Sequence, residues 1–226
     1  MAGENIVERL DKLEEENKKL RLEVERAQAV NEIRNILGKL QAYHTAGMDE
    51  KITTLFAKRP DSRVYFGELG SFDGPDCAER AGATMPGGPR AGHMPIHLMC
   101  NPVIEVAADG QTAQAVFVAA GIVAMKDSKT GRPTCMWEWN RYGEDFIKEE
   151  GKWKLWHHHV YPLFQIGWDE NWTEHFSKKK EGHGMQLPFK PDNPPTPLDV
   201  FYSPDEILPL IPVPEPYDTW DPERMY

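Results

Sequence analysis

The chain has 226 residues, 40% of them hydrophobic, enough for one sizeable core with extensions or at most two small domains. Its formal net charge of -10 argues against a nucleic-acid binder, which needs a basic face, and disfavours attachment to anionic lipid. No apolar run reaches the roughly 18 residues of a membrane span, and the charged start MAGENIVERLDKLEEENKKL lacks a signal-peptide core. Cys77, Cys100 and Cys135 are widely spaced and odd in number, which fits a reducing cytoplasm rather than a disulfide framework or zinc knuckle.

Residues 4 to about 47 read as one long helix or two in tandem. Leu10, Asn17, Val24 and Asn31 recur every seventh residue, with Leu13, Leu20 and Ala27 three further on, as at the a and d positions of a heptad. The flanking g and e positions pair Arg9 with Glu14, Glu16 with Arg21 and Glu23 with Gln28. A parallel coiled coil, and hence a homo-oligomer (dimer or trimer), is the expectation. The alternative is an amphipathic helix folded back on its own domain. After Gln28 the apolar stripe Ile33, Leu37, Leu40 leads on to His44, and Ile36 with Leu40 leads to Tyr43. An ionisable pair therefore ends the buried face.

AGMDEK breaks the stripe, and Ile52 to Phe56 reads as a second short helix. From Arg63 to about Tyr161 the pattern becomes strands. SRVYFGELGSFDG alternates and turns, GPDCAERAG suits a short helix, and ATMPGGPRAG is a glycine- and proline-rich loop. HMPIHLMCNPVIEVAADGQTAQAVFVAAGIVAM reads as two or more strands joined at Asp109-Gly110. Two further strands meet at the Glu149-Glu150-Gly151 turn. Helices first and antiparallel strands afterwards predict an α+β fold, with the helices on one face of a curved sheet. The segment SKKKEGHG then leads to a tail holding eleven of the nineteen prolines, Pro188 to Pro222. Regular helix or sheet is ruled out there, yet residues such as Phe189, Phe201, Ile211, Tyr217 and Trp220 make it too apolar for a disordered tail. It reads as an extended arm, pinned to its own domain or wrapped round a neighbouring subunit. The expected divisions are 1–30, 31–176 and 177–226.

GKWKLWHHHVYPLF places three histidines in one strand. Alternation sets His157 and His159 on one face with Trp153, Leu155 and Tyr161, and His158 on the other with Lys154 and Trp156. The first face is the more apolar at its start and is read as inward. A metal held by His157, His159 and His97 is a rival reading. There is no HExxH spacing and no acidic partner placed nearby, so neither metal nor cofactor is expected. Met99, Phe117, Trp137 and Trp139 are candidates to line an apolar pocket suited to an aromatic or polycyclic substrate, or else simply fill the core.

The segments YHTAGMDEKITTLFA, IHLMCNPVIEV with ADGQTAQAVF, and EEGKWKLWHHH carry a resemblance to the NTF2-like, or SnoaL-like, superfamily over about residues 30 to 165. The resemblance implies a cone in which a curved antiparallel sheet wraps a long helix round an apolar pocket. It points to the cofactor-independent dehydratase and lyase members, such as bile-acid 7α-dehydratase, scytalone dehydratase and diarylpropane formaldehyde lyase. Their pockets use His, Asp, Tyr and Arg. His97 in HLMCNP is similar to a pocket-strand histidine five residues before a proline; His44 falls where bile-acid dehydratases carry an aspartate, and Lys39 where they carry a tyrosine. An arginine of the family pattern has no match near Pro162. The expected catalytic set is His97 and His44 for proton transfer, Tyr43 as donor to a substrate oxygen, and His159. Tyr161, His157, Trp139, Phe117 and Lys39 are the expected substrate contacts. The expected activity is dehydration or deformylation of a small hydrophobic substrate; the alternative is a non-catalytic ligand-binding or assembly protein of the same fold.

Overall fold

The computed structural model describes residues 5–67, 69–84, 88–127, 130–175, 188–196, 202–209 and 211–226. Helix α1 (Ile6–Thr45) is one unbroken element of 40 residues, rich in Leu, Glu, Lys and Arg, which favour helix. The Asn5 side chain caps its start, accepting from the Val7 amide at 3.2 Å. Gly47, at φ 64°, takes the left-handed conformation just beyond its end. The two halves of α1 differ in surroundings. Ala29, Ile33, Ile36, Leu37 and Leu40 are buried against the sheet. Leu10, Leu13, Leu20 and Val24 are exposed by 54%, 50%, 58% and 55%.

Helix α2 (Asp49–Thr53) begins and ends earlier than the expected Ile52–Phe56 turn, and Phe56 bridges to Leu155 instead. There follow β1 (Arg63–Phe66), β2 (Gly70–Asp73), α3 (Cys77–Gly82), β3 (Met94–Met99), β4 (Val103–Val106), β5 (Thr112–Lys126), β6 (Pro133–Glu149), β7 (Lys152–Gly167) and α4 (Trp172–His175). Gly110, Glu150 and Gly151 have φ of 68°, 49° and 75°, so the two hairpin turns lie where the residue types put them. The sheet order is β2-β1-β7-β6-β5-β3, with β4 also paired to β5. Pairing of β1 with β7 is parallel, so the open sheet is mixed rather than wholly antiparallel. Register shifts between β6 and β7, at Trp139/Asn140 and Asp145/Phe146, add bend to the long strands.

The two faces of this sheet hold different cores. The inner face packs Val64, Phe117, Tyr142 and Phe146 against α1. On the outer face Tyr65 and Tyr161 pack with Ile211 and Tyr226. The proline-rich arm covers that outer face, and its described residues are pinned to their own domain. The Ala108 amide donates to the Tyr217 carbonyl at 2.8 Å, the Tyr202 amide to Leu163 at 2.8 Å, and the Ser71 amide to Asn193 at 3.1 Å. SKKKEGHG, Leu198, Phe201 and Leu210 lie outside the described residues.

Candidate active site

Four strands bring one residue each into a single row across the inner face. Register pairs His97 of β3 with Gly121 of β5, Gly121 with Glu138 of β6, and Glu138 with Gln165 of β7. Gly121 leaves the space through which its two neighbours meet. A Cβ there would lie 2.7 Å from both Glu138 Cγ and His97 Cδ2. Across this gap His97 Nε2 is hydrogen-bonded to Glu138 Oε1. The Gln165 side-chain amide donates to the other carboxylate oxygen at 3.0 Å. The side chains of His97 and Glu138 are only 8% and 12% exposed, so the pair is poorly screened by water.

The last turn of α1 supplies the third ionisable group. The His44 ring centroid lies 5.0 Å from that of His97. Burial, reinforced by the neighbouring His97, lowers the His44 pKa to about 4, which keeps it a neutral imidazole near pH 7. Burial alone would raise Glu138, but the His97 hydrogen bond and charge outweigh it and hold the carboxyl below its usual range. The site thus combines an ionised carboxylate, the imidazole bonded to it, and a second imidazole held neutral.

Glu138 escaped the sequence reading. It stands between Trp137 and Trp139 in CMWEWN, and reading those tryptophans as pocket lining turned the glutamate outward. Alternation within WEW is real, but its phase is the reverse. Trp137 and Trp139 lie on the outer face, where with Phe164, Trp172 and Tyr202 they line an open apolar cavity of about 500 Å³. Trp139 is therefore placed away from His97. Among the described residues no histidine lines that cavity, and the His97 row and the aromatic cavity sit on opposite faces.

The triple histidine also has its faces reversed. His158, not His157 or His159, points inward, and Nδ1 bonds Glu144 at 2.8 Å in a wholly buried pair. Rings of Phe56 and Tyr142 close round it at 5.8 and 5.9 Å. On the outer face both nitrogens of His157 are committed, Nδ1 to Asp145 and Nε2 to the Asp61 carbonyl, each at 2.9 Å. His159 is buried there, its pKa driven well below the usual value by burial, and its Nδ1 has no partner among the described residues. Tyr161 lies beside it, its phenol pushed up to about 12 by burial. His157 and His159 are thus separated from His97 by the sheet, and the three cannot share a metal. Among the described residues no other group of three His, Cys, Asp or Glu side chains is arranged to do so.

Two helix residues also fall away from the row. Lys39 is exposed, about 100° round α1 from the centre of its buried stripe. Tyr43 faces α2, with Lys51 Nζ 5.6 Å above its ring. Phe117 stays on the inner face, stacked on Tyr142 at 4.6 Å. Of the nine expected contacts, His97, His44 and Phe117 share that face.

A family model for the SnoaL-like domain matches residues 25–159. No curated protein matches the chain significantly. Among solved structures, a protein assigned as a scytalone dehydratase from Novosphingobium aromaticivorans superposes with TM-score 0.54 at 13% identity, over 66% of this chain and 93% of that one. A type 2 hexachlorocyclohexane dehydrochlorinase gives TM-score 0.54 at 12% identity, over 64% and 92%. A type 3 dehydrochlorinase from Novosphingobium barchaimii gives 0.52 at 12%, over 66% and 96%. At these identities the likeness is one of fold.

Proposed function

The chain belongs to the SnoaL-like domain family, and on that premise we propose that it is a lyase using side-chain acid–base chemistry, centred on His97, Glu138 and His44, to dehydrate or deformylate a hydrophobic hydroxylated substrate. The observation that carries the reading is the pairing of His97 with a carboxylate next to a second, neutral imidazole. Structural neighbours named for a dehydratase and for dehydrochlorinases support an elimination in particular.

The roles follow from hydrogen-bonding capacity. An ionised carboxylate only accepts, so Glu138 fixes the proton on His97 Nε2 and leaves Nδ1 as the basic atom. In a dehydration, Nδ1 takes the proton from carbon, the C–H electron pair forms the new double bond, and the C–O bond breaks. The imidazolium, stabilised by Glu138, then returns its proton to the departing hydroxide as water. In a retro-aldol deformylation the same nitrogen takes the hydroxyl proton, and C–C cleavage releases formaldehyde as the other fragment becomes a carbanion or enolate. His44, kept neutral by burial, donates a hydrogen bond to the oxygen on which charge develops, without itself becoming charged. Base, acid and oxyanion donor all come from the chain, so the proposed reaction needs no cofactor.

The test is turnover of a panel of hydroxylated aryl and polycyclic alcohols, followed by ultraviolet absorbance for the new conjugation and by formaldehyde release. The parent should convert at least one class, and His97→Ala and His44→Ala, each checked for folding, should lose about a hundredfold or more. Binding without conversion across the panel would favour a ligand-binding protein. Full activity in His97→Ala would remove that residue from the chemistry.

A further inference from the structure

Helix α1 extends well beyond the domain it serves. The first described contacts with the sheet come from Leu22, beside Gly110, and from Glu25 and Arg26, which reach Lys148 and the Val106 carbonyl. Before them lies a rod whose apolar residues are exposed, with Ile6 at 74% and Leu20 at 58%. Such residues are not scattered round it. At about 100° per residue, Leu10, Leu13, Asn17, Leu20 and Val24 form one stripe. That stripe lies roughly 160° round the helix from the face that Ala29, Ile33 and Leu40 press on the sheet. A second helix can therefore lie along it without meeting the domain.

We infer that this stripe pairs with the same stripe of a second copy, in a parallel two-stranded coiled coil over residues 6 to 31. Charge selects the partner. In parallel register Arg9 faces Glu14 of the other copy and Glu16 faces Arg21, each pair occurring twice by symmetry. Asn17 selects orientation and number. A parallel dimer sets Asn17 against Asn17, where two amides satisfy each other, whereas an antiparallel pair sets it against leucine. Its own side chain donates to the Leu13 carbonyl at 2.9 Å, leaving the amide oxygen to accept across the interface. The arm, held on the outer face of its own domain, leaves the rod uncovered among the described residues.

Sedimentation equilibrium of the full chain at micromolar concentration should give a dimer. Leu13→Glu with Leu20→Glu should weaken association at least a hundredfold with the thermal unfolding of the domain unchanged. Arg9→Glu alone should weaken it severalfold, and adding Glu14→Arg should restore it. Orientation is read by Leu10→Cys in a Cys100→Ser background, which should cross-link into dimers on mild oxidation while the background alone does not. A monomeric parent at tens of micromolar overturns the inference. So does a doubly substituted seam that keeps the parent's mass, or a dimer that Leu10→Cys fails to cross-link.

Discussion

Gly121 contributes no side chain, and the contact between His97 and Glu138 depends on that. Strand β5 is held between β3 and β6 by their ladders, so it cannot retreat from a new methyl group. An added Cβ, 2.7 Å from a carbon of each neighbour, would instead push the imidazole and carboxylate apart. Gly121→Ala should therefore cut turnover per folded molecule by roughly a hundredfold, in addition to the stability cost of overpacking, about 1–3 kcal/mol. Turnover beside a urea unfolding curve separates the two effects; unaltered turnover would mean that the pair does not act as a unit. Glu138→Gln tests the same contact without steric change. The amide can donate where the carboxylate only accepts, so the histidine proton is no longer fixed on Nε2. The imidazolium also loses its counter-charge. A loss of about a hundredfold or more in kcat is expected with little change in stability. Equal activity would reduce Glu138 to a packing residue.

Strand β7 shows how one element separates a structural histidine from a chemical one. His158 and Glu144 form a buried pair with aromatic rings on several sides, so removing one partner strands the other without water. His158→Ala should cost about 3–5 kcal/mol in urea unfolding, yet leave turnover per folded molecule near the parent value. A variant stable but inactive would place His158 in the chemistry. The strand's existence, its hairpin partner and the Gly151 turn were all legible, because turn chemistry is local. Its facing was not. Alternation distinguishes inside from outside only where one face is wet. Here the arm buries the outer face beneath Ile211, Tyr217 and Tyr226, so both faces carry apolar residues. The register shift between Trp139/Asn140 and their β7 partners then leaves Leu163 unpaired to β6, and the phase that brings Gln165 inward could not be counted from His157. His44 and His97 were legible because α1 and β3 have one face each against the core. Glu138 was hidden because its phase depends on the same two-sided burial.

For the molecule as a whole, neutral buried imidazole ties folding to pH. His44 titrates at about 4 in the folded protein, against a usual 6.5, because burial penalises its charged form. The unfolded chain therefore takes up a proton first as pH falls, and the native state loses stability from about pH 6.5 down to about 4. Linkage puts that loss at about 2 kcal/mol between pH 7.5 and 5. His159, lowered by burial, acts in the same direction and extends the loss to lower pH. Glu144 and Asp145 act in the opposite sense, since burial raises both, so the folded state gains protons at their positions before the unfolded chain does. The total pH dependence mixes these groups, and a difference measurement isolates one. Thermal unfolding of the parent and of His44→Gln should be followed from pH 7.5 to 5. The parent should lose more stability than the variant by about 2 kcal/mol, or several degrees in Tm for a chain of this size. Parallel curves would mean that His44 takes up its proton at the same pH folded and unfolded, so that burial does not hold it neutral for the donor role. A parent that instead gains stability relative to the variant as pH falls would make His44 a charged acid, and the division of roles with His97 would be reversed.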